Sequence, residues 1–312
     1  MSLVIPKSLK KGDTVALISA SGATAPERLQ PAIEAVEKLG FHVVVGETCR
    51  TRHGYLAGSD ELRAKEVNEM FANPNIDGIF CIRGGYGATR ILPMLDLELI
   101  KNNPKVFAGY SDVTALHIVF NEQCNFVTYH TPMPATEFIK PEMDDYSWEY
   151  FINNVTNTQW NGYFLENKLG EARLTITPGS ATGQLTGGNL TLVAASLGTP
   201  YEIDVAGKIL FLEDIDENVQ RIDRMLTQLK LAGKLDQCAG IILGAWTDCG
   251  PLDRKNQENN LTLQQVFDEI LAPLGIPVLA GVTCGHVLPT LSLPLGKTVS
   301  LDATKQTIEV VG

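Results

Sequence analysis

The sequence predicts an α/β fold built on a parallel sheet with helices on both faces, and three observations predict it. Short, almost continuously apolar runs such as TVALI (14–18) alternate with longer segments whose apolar residues recur at helical spacing. Strands that are apolar along their whole length are those buried on both faces, as parallel strands are. Three of the runs pass into loops of small residues, SASG (19–22), RGGYG (83–87) and GYSD (109–112). In such sheets, sites form beyond the carboxyl ends of the strands. The three loops are therefore expected to converge on one crevice.

The elements follow in order. Residues 14–18 read as the first strand. A helix follows over 26–39, with Pro26 suited to its first turn and Gly40 to its end. Residues 41–45 form the second strand. Ser59, Asp60 and Glu61 cap and charge a helix that runs to about Phe71. The third strand is 78–82, followed by the glycine loop and a short helix through Leu92. Residues 105–120, KVFAGYSDVTALHIVF, read as strand, turn and helix, and 126–129 as one more strand. A helix is expected over 143–154. Periodicity then fades, which places a domain boundary near 155–180. Beyond it, strands are expected at 208–212, 240–246, 277–282, 298–301 and 307–311. Helices are expected at 189–196, 217–232 and 262–271, the last opened by a Thr262/Gln265 capping box.

The bulk numbers bound the function. The 312 residues, 44% apolar and 20% charged, suit a soluble chain of one large domain or two ordinary ones. A net charge of −11 without a basic stripe argues against nucleic acid as a partner. The six cysteines are scattered with no C-x-x-C pair, so no metal site is expected, and thiols within apolar runs suit a reducing compartment. No apolar stretch reaches the roughly 18 residues of a membrane span. Residues 7–23 carry lysines before a short apolar run, but that run is far below the roughly 7–15 residues of a signal-peptide core. A cytoplasmic location is the expectation. A homodimer is expected as the commonest assembly.

Ser111 is the candidate nucleophile. A strand that turns sharply into a helix on a small residue and a serine presents a hydroxyl beside the free N–H groups of the helix start. The motif is incomplete, because Val113 stands where G-x-S-x-G has its second glycine. Ser111 or Asp112 acting as an ordinary N-cap is the competing reading. The glycine loop does not match a dinucleotide fingerprint: from Gly85 it reads GYGATR, with Arg90 at the third glycine position, and no cofactor is expected. Its glycines either permit a tight turn or leave a bare N–H for a substrate oxygen. Gly85 and Asp112, at neighbouring strand ends, are the candidate oxyanion donors. For the base, His117 lies about 9 Å along the helix from Ser111 and does not easily reach back. His130 and His286 follow strands and remain equal candidates. For the orienting carboxylate, LFLED ends a buried strand on Glu213-Asp214, although Asp214 or Asp216 also reads as a helix cap.

These stretches, together with YLAGSDELR (55–63), IRGGYGATRILPMLD (82–96), GGNLTLVAASLGTP (187–200), LFLEDIDE (210–217) and the late Gly285-His286, resemble in their order the LD-carboxypeptidases. These are serine peptidases that include murein tetrapeptide carboxypeptidases and microcin C self-immunity proteins. The resemblance implies a flavodoxin-like N-terminal domain over 1–160, a linker over 161–180 and a smaller C-terminal β/α domain over 181–312. It implies a triad split between the domains, with Ser111 as nucleophile, Glu213 and His286 as its partners, and Gly85 and Asp112 as oxyanion donors. Many members read H-G-P-M where this chain has His130-Thr131-Pro132-Met133. The activity implied is hydrolysis of the L,D-amide to the terminal D-alanine of a murein tetrapeptide, without cofactor or metal, in cell-wall recycling. Cleavage of a peptidyl or aminoacyl nucleotide amide is the alternative within the family. A non-catalytic peptide-binding protein is the alternative of another class.

Overall fold

The computed structural model describes residues 3–157, 162–168, 172–252 and 259–311. The chain divides into two units: Met1–Gln159 with Ser292–Gly296, and Trp160–Leu291 with Lys297–Gly312.

In the first unit, β1 (Thr14–Ile18), β2 (His42–Val45), β3 (Gly78–Cys81), β4 (Val106–Gly109) and β5 (Thr128–His130) pair in parallel in the order 2-1-3-4-5. This is the flavodoxin-like order expected. The helices between them are α1 (Pro26–Lys38), α2 (Asp60–Ala72), α3 (Ala88–Ile91), α4 (Leu97–Asn102) and α5 (Thr114–Glu122), with α6 (Asp145–Thr156) after β5. Capping explains several starts. Pro26 opens α1, Ser59 accepts from Leu62 N at 3.3 Å at the head of α2, and Asp144 accepts from Ser147 N at 3.0 Å at the head of α6. The core between sheet and helices includes Phe71, Phe107, Phe120 and Phe126, with Phe107 and Phe120 edge-on at 4.9 Å.

The second unit holds an eight-stranded mixed sheet. Its parallel centre is β8 (Ser180–Asn189), β9 (Ile209–Ile215), β10 (Gly240–Thr247) and β11 (Val278–Ala280). Antiparallel strands β13 (Thr298–Asp302), β14 (Thr307–Val310) and β6 (Tyr163–Phe164) extend one edge, and β7 (Leu174–Thr177) closes the other. Helices α7 (Leu190–Ser196), α8 (Val219–Leu231) and α9 (Leu263–Ile270) follow their strands, and the Thr262/Gln265 capping box at α9 is formed.

The structure differs from the sequence expectation in three places. The stretch 161–180, expected as a linker, carries β6 and β7 of the second sheet, although 161 and 169–171 lie outside the described residues. Both strands are short edge strands with little buried face, so they lack a strong apolar signature. Residues Ser292–Gly296, assigned to the C-terminal domain, belong to the first unit, where β12 (Leu293–Leu295) pairs antiparallel with β5. Neither β8 nor α4 was anticipated.

Candidate active site

In the first unit, the three loops after β1, β3 and β4 meet. Gly22 N donates to Gly84 O at 3.1 Å, which joins the first two loops. The third lies against Gly84, because a Cβ built there would stand 2.9 Å from Ser111 Cβ and 3.1 Å from Ser111 Oγ. Only glycine allows that approach. Arg63, fully buried on α2, braces the same loops. Its Nη1 donates to Ala20 O at 2.5 Å and Gly87 O at 2.8 Å, and its Nη2 pairs with Asp60.

Ser111 has φ of 66°, the left-handed region that side-chain-bearing residues rarely enter, at the head of a 3-10 turn (Ser111–Val113) before α5. Such strain costs roughly 1–3 kcal/mol and concentrates at functional positions. The N-cap competitor is not realised: the α5 cap position is Val113, with no side-chain cap. Asp112 does cap, but at another helix, its Oδ2 accepting from Ala88 N at 2.8 Å where α3 begins. Burial pushes its carboxyl above the ordinary range, and hydrogen bonds from the α3 start oppose that rise. Among the described residues, no acceptor takes the main-chain N–H of Gly85 or Asp112. Gly85 is exposed, with φ of 117°. His117 Nε2 donates to Gly109 O at 2.8 Å, and burial lowers its pKa to about 4. His130 is buried at the end of β5, its ring 5.4 Å from that of Tyr110. Thr131 follows with its N–H on Gly109 O at 3.1 Å.

In the second unit, Glu213 is fully buried near the carboxyl end of β9. Its Oε2 lies 2.7 Å from His286 Nδ1 and accepts from His286 N at 3.2 Å. Two bonds from one residue to one carboxylate oxygen hold the imidazole in place. Thr247 Oγ1 donates to His286 O at 2.5 Å and pins the same loop from β10. Gly285 has φ of 111°, and a Cβ there would fall 2.5 Å from Glu213 Oε2. Asp214 serves differently. It accepts from Asn189 Nδ2 at 2.8 Å and from Thr191 N and Oγ1 at 2.9 Å each, so it caps α7, not the helix that follows it. Burial raises its pKa. The α8 cap is Asn218, and Asp216 has φ of 58°.

Of the residues singled out in the sequence, Ser111, Asp112 and Gly85 thus stand together in the first unit, and Glu213 and His286 stand in contact in the second. His130 lies in the first unit, at the end of β5, and Glu213 in the second, on β9. Sequence reasoning passed over Gly84, Arg63 and Thr247. The Gly84-Gly85 doublet was the one available signal, because two adjacent glycines mark close backbone approach as readily as a turn. Among the described residues there is no group of three or more His, Cys, Asp or Glu side chains placed to hold a metal. No described helix is long and apolar enough to cross a membrane.

A doubly wound unit presenting a strained serine and a mixed-sheet unit presenting a carboxylate–imidazole pair define a class, the two-unit α/β hydrolases of serine type. Comparison narrows the class. Residues 15–131 match the LD-carboxypeptidase N-terminal domain and residues 182–301 the C-terminal domain. A probable murein peptide carboxypeptidase of Bacillus subtilis is 38% identical over 307 residues, covering 97% of this chain and 92% of its own. The wild-type apo structure of the microcin C7 self-immunity protein MccF superposes with a TM-score of 0.89 at 29% identity, covering 99% and 98% of the two chains. The crystal structure of muramoyltetrapeptide carboxypeptidase from Oxalobacter formigenes gives 0.81 at 28% identity, covering 95% and 97%. The chain belongs to the LD-carboxypeptidase family and is a serine-type carboxypeptidase.

Proposed function

We propose that this carboxypeptidase hydrolyses the amide between an L-configured centre and the terminal D-alanine of a murein tetrapeptide, with Ser111, His286 and Glu213 as its triad. Ser111 Oγ attacks the carbonyl carbon while His286 Nε2 takes the hydroxyl proton. Glu213 holds the Nδ1–H tautomer and stabilises the imidazolium that forms. The N–H groups of Gly85 and Asp112 receive the oxyanion. His286 then returns the proton to the leaving amine of D-alanine. Water, deprotonated by the same imidazole, cleaves the acyl-enzyme and regenerates the serine.

The observation that carries this reading is the buried Glu213 carboxylate 2.7 Å from His286 Nδ1, the contact that orients a catalytic imidazole. The left-handed Ser111 and the unpaired N–H groups beside it support the nucleophile's half. Relatives named for murein peptides and tetrapeptides support the substrate. A cytoplasmic homodimer is part of the same proposal; the six cysteines, all free, suit a reducing compartment. Subcellular fractionation and light scattering test location and assembly.

Mass spectrometry of muropeptides before and after incubation tests the reaction. The tetrapeptide should lose the mass of one alanine residue, and Ser111→Ala should leave it intact. Turnover by that variant would end the serine assignment. The likeness to the self-immunity protein favours one second reading, hydrolysis of a peptidyl or aminoacyl nucleotide amide. Assaying both substrates side by side separates the two.

A further inference from the structure

Beside Gly85, three guanidinium groups gather without an acidic partner. Arg83, half-buried at the end of β3, is tied down on two sides: Nη1 donates to Ala23 O at 2.9 Å and Nε to Gly84 O at 3.2 Å. Its Nη2 is directed to the Gly85 side, 3.3 Å from the point where a Cβ on that residue would stand. Arg52 lines the same cleft of about 490 Å³, with Gly22, Tyr55, Gly85 and Tyr86. Arg28, on α1, lines an adjoining pocket of about 290 Å³ with Arg83, Thr24, Thr136 and Glu27, whose carboxylate makes no ion pair with either arginine. Arg28 and Arg52 are exposed, and each reaches only a main-chain carbonyl, at 3.4 and 3.5 Å. Burial, then Arg28 and Arg52, lower the pKa of Arg83. Among the described residues, no carboxylate pairs with any of the three. The concentration of like charge is unfavourable in the free protein and calls for an anion.

We propose that Arg83, flanked by Arg28 and Arg52, forms a carboxylate subsite that binds the free C-terminal carboxylate of the peptide substrate. This rests on the functional reading above, in which Gly85 N–H receives the scissile carbonyl oxygen. The length scale supports it. One residue of extended chain spans about 3.3–3.6 Å, so a terminal carboxylate lies one such step beyond the carbonyl. Nη2 of Arg83 lies 3.3 Å from the point where a Cβ on Gly85 would stand, so the guanidinium borders the backbone that would receive the oxyanion. A guanidinium fork matches a carboxylate in two parallel bonds. The exposed Tyr55 and Tyr86 rings, edge to face at 5.5 Å, supply an apolar wall for a small side chain. The subsite would thus limit cleavage to the last residue of a peptide.

The test compares kcat/KM for a tetrapeptide with a free C-terminal carboxylate and for the same peptide as its carboxamide. The full-length protein should prefer the acid by about 100-fold, the worth of two charge-assisted bonds at roughly 10-fold each. In Arg28→Ala/Arg52→Ala the preference should fall to about 10-fold, chiefly through KM, while a fluorophosphonate probe labels Ser111 at the wild-type rate. Arg83→Lys keeps the charge and loses the fork, and should reduce the preference further. Unchanged acid/amide ratios in both variants would overturn the proposal. So would a ratio that changes only when a carboxylate inside the peptide is removed, by replacing diaminopimelate with lysine at the third position. Turnover by Ser111→Ala would instead refute the functional reading. In that case, calorimetric binding of N-acyl-D-alanine against its amide reads the subsite alone: equal affinities refute it, and preference for the acid lost in Arg28→Ala/Arg52→Ala supports it.

Discussion

Replacing Gly285 with alanine should separate chain stability from catalytic alignment. The new Cβ would stand 2.5 Å from Glu213 Oε2, 2.8 Å from its Cγ and 2.9 Å from its Cβ. Glu213 is fully buried, so its carboxylate has little room to retreat, and moving it draws Oε2 away from His286 Nδ1. Backbone strain adds to the clash, since φ at this position is 111°. Left-handed strain alone costs about 1–2 kcal/mol for an alanine, and displacing well-packed atoms adds a comparable amount. At 2–4 °C per kcal/mol, the melting temperature should fall by about 5–15 °C. The larger effect is on kcat. Losing the carboxylate that orients a catalytic imidazole costs about 10⁴-fold, so partial misalignment should cost about 10²–10⁴-fold. Gly275→Ala is the control, because Gly275 has φ of 68° and open space around it. It should lower the melting temperature by a few degrees and leave tetrapeptide hydrolysis unchanged. A Gly285→Ala enzyme with wild-type kcat would refute the alignment role of the Glu213–His286 contact.

Ser111→Gly should abolish hydrolysis by about 10⁴–10⁶-fold and yet raise the melting temperature by a few degrees, because glycine occupies a φ of 66° without strain; a lower melting temperature would count against stored strain at the serine. Arg63→Met should destabilise the protein by about 3–5 kcal/mol, read by urea unfolding, since it strips donors from Ala20 O and Gly87 O and leaves Asp60 with one partner fewer. Burial holds the His117 pKa at about 4, below its ordinary 6.5. Between those values the unfolded chain binds more protons, so the contribution is present above pH 6.5 and is lost as pH falls towards 4. The loss is about 3 kcal/mol, and unfolding of His117→Gln, measured from pH 7 to 4, should show a correspondingly flatter slope.

Legibility in the sequence followed burial. The parallel strands of the first unit were readable because β1, β3 and β4 are apolar and covered almost throughout, and the apolar Phe126-Val127 leads into the buried β5. Strand β8 was not, although it lies inside the second sheet, because SATGQLTGGN reads as a loop. Its glycines serve packing: a Cβ on Gly183 would stand 2.6 Å from Gly207 O. Strand β12 was illegible for another reason. LPL is three residues long and carries a proline, which an edge strand tolerates, and its partner β5 lies far back in the chain. At the proposed site, strand, turn and helix made Ser111 a candidate nucleophile, with an N-cap as the competing reading. The choice of His286 over His130, and of Glu213 over Asp214, was not legible. Each depends on a partner remote in sequence, the imidazole for Glu213 and the start of α7 for Asp214.

The residues that bear the proposed chemistry are held by neighbours that bear none. Ser111 keeps its left-handed conformation with Gly84 pressed against its Cβ, and His286 reaches Glu213 by a chain that passes the carboxylate at Gly285. In both units a side chain at the site is placed by an adjacent backbone without a Cβ. A serine, a histidine and a glutamate can be found in any chain of this length. The glycines at 84 and 285 have a steric cause. Substituting those glycines should therefore lower activity by about 10²–10⁴-fold, short of what removing the serine costs, while leaving every reactive group in the protein. A serine probe would then still label Ser111 in Gly285→Ala, at a reduced rate, whereas nothing could label Ser111→Ala at that position. That difference in labelling separates a misaligned site from an absent one.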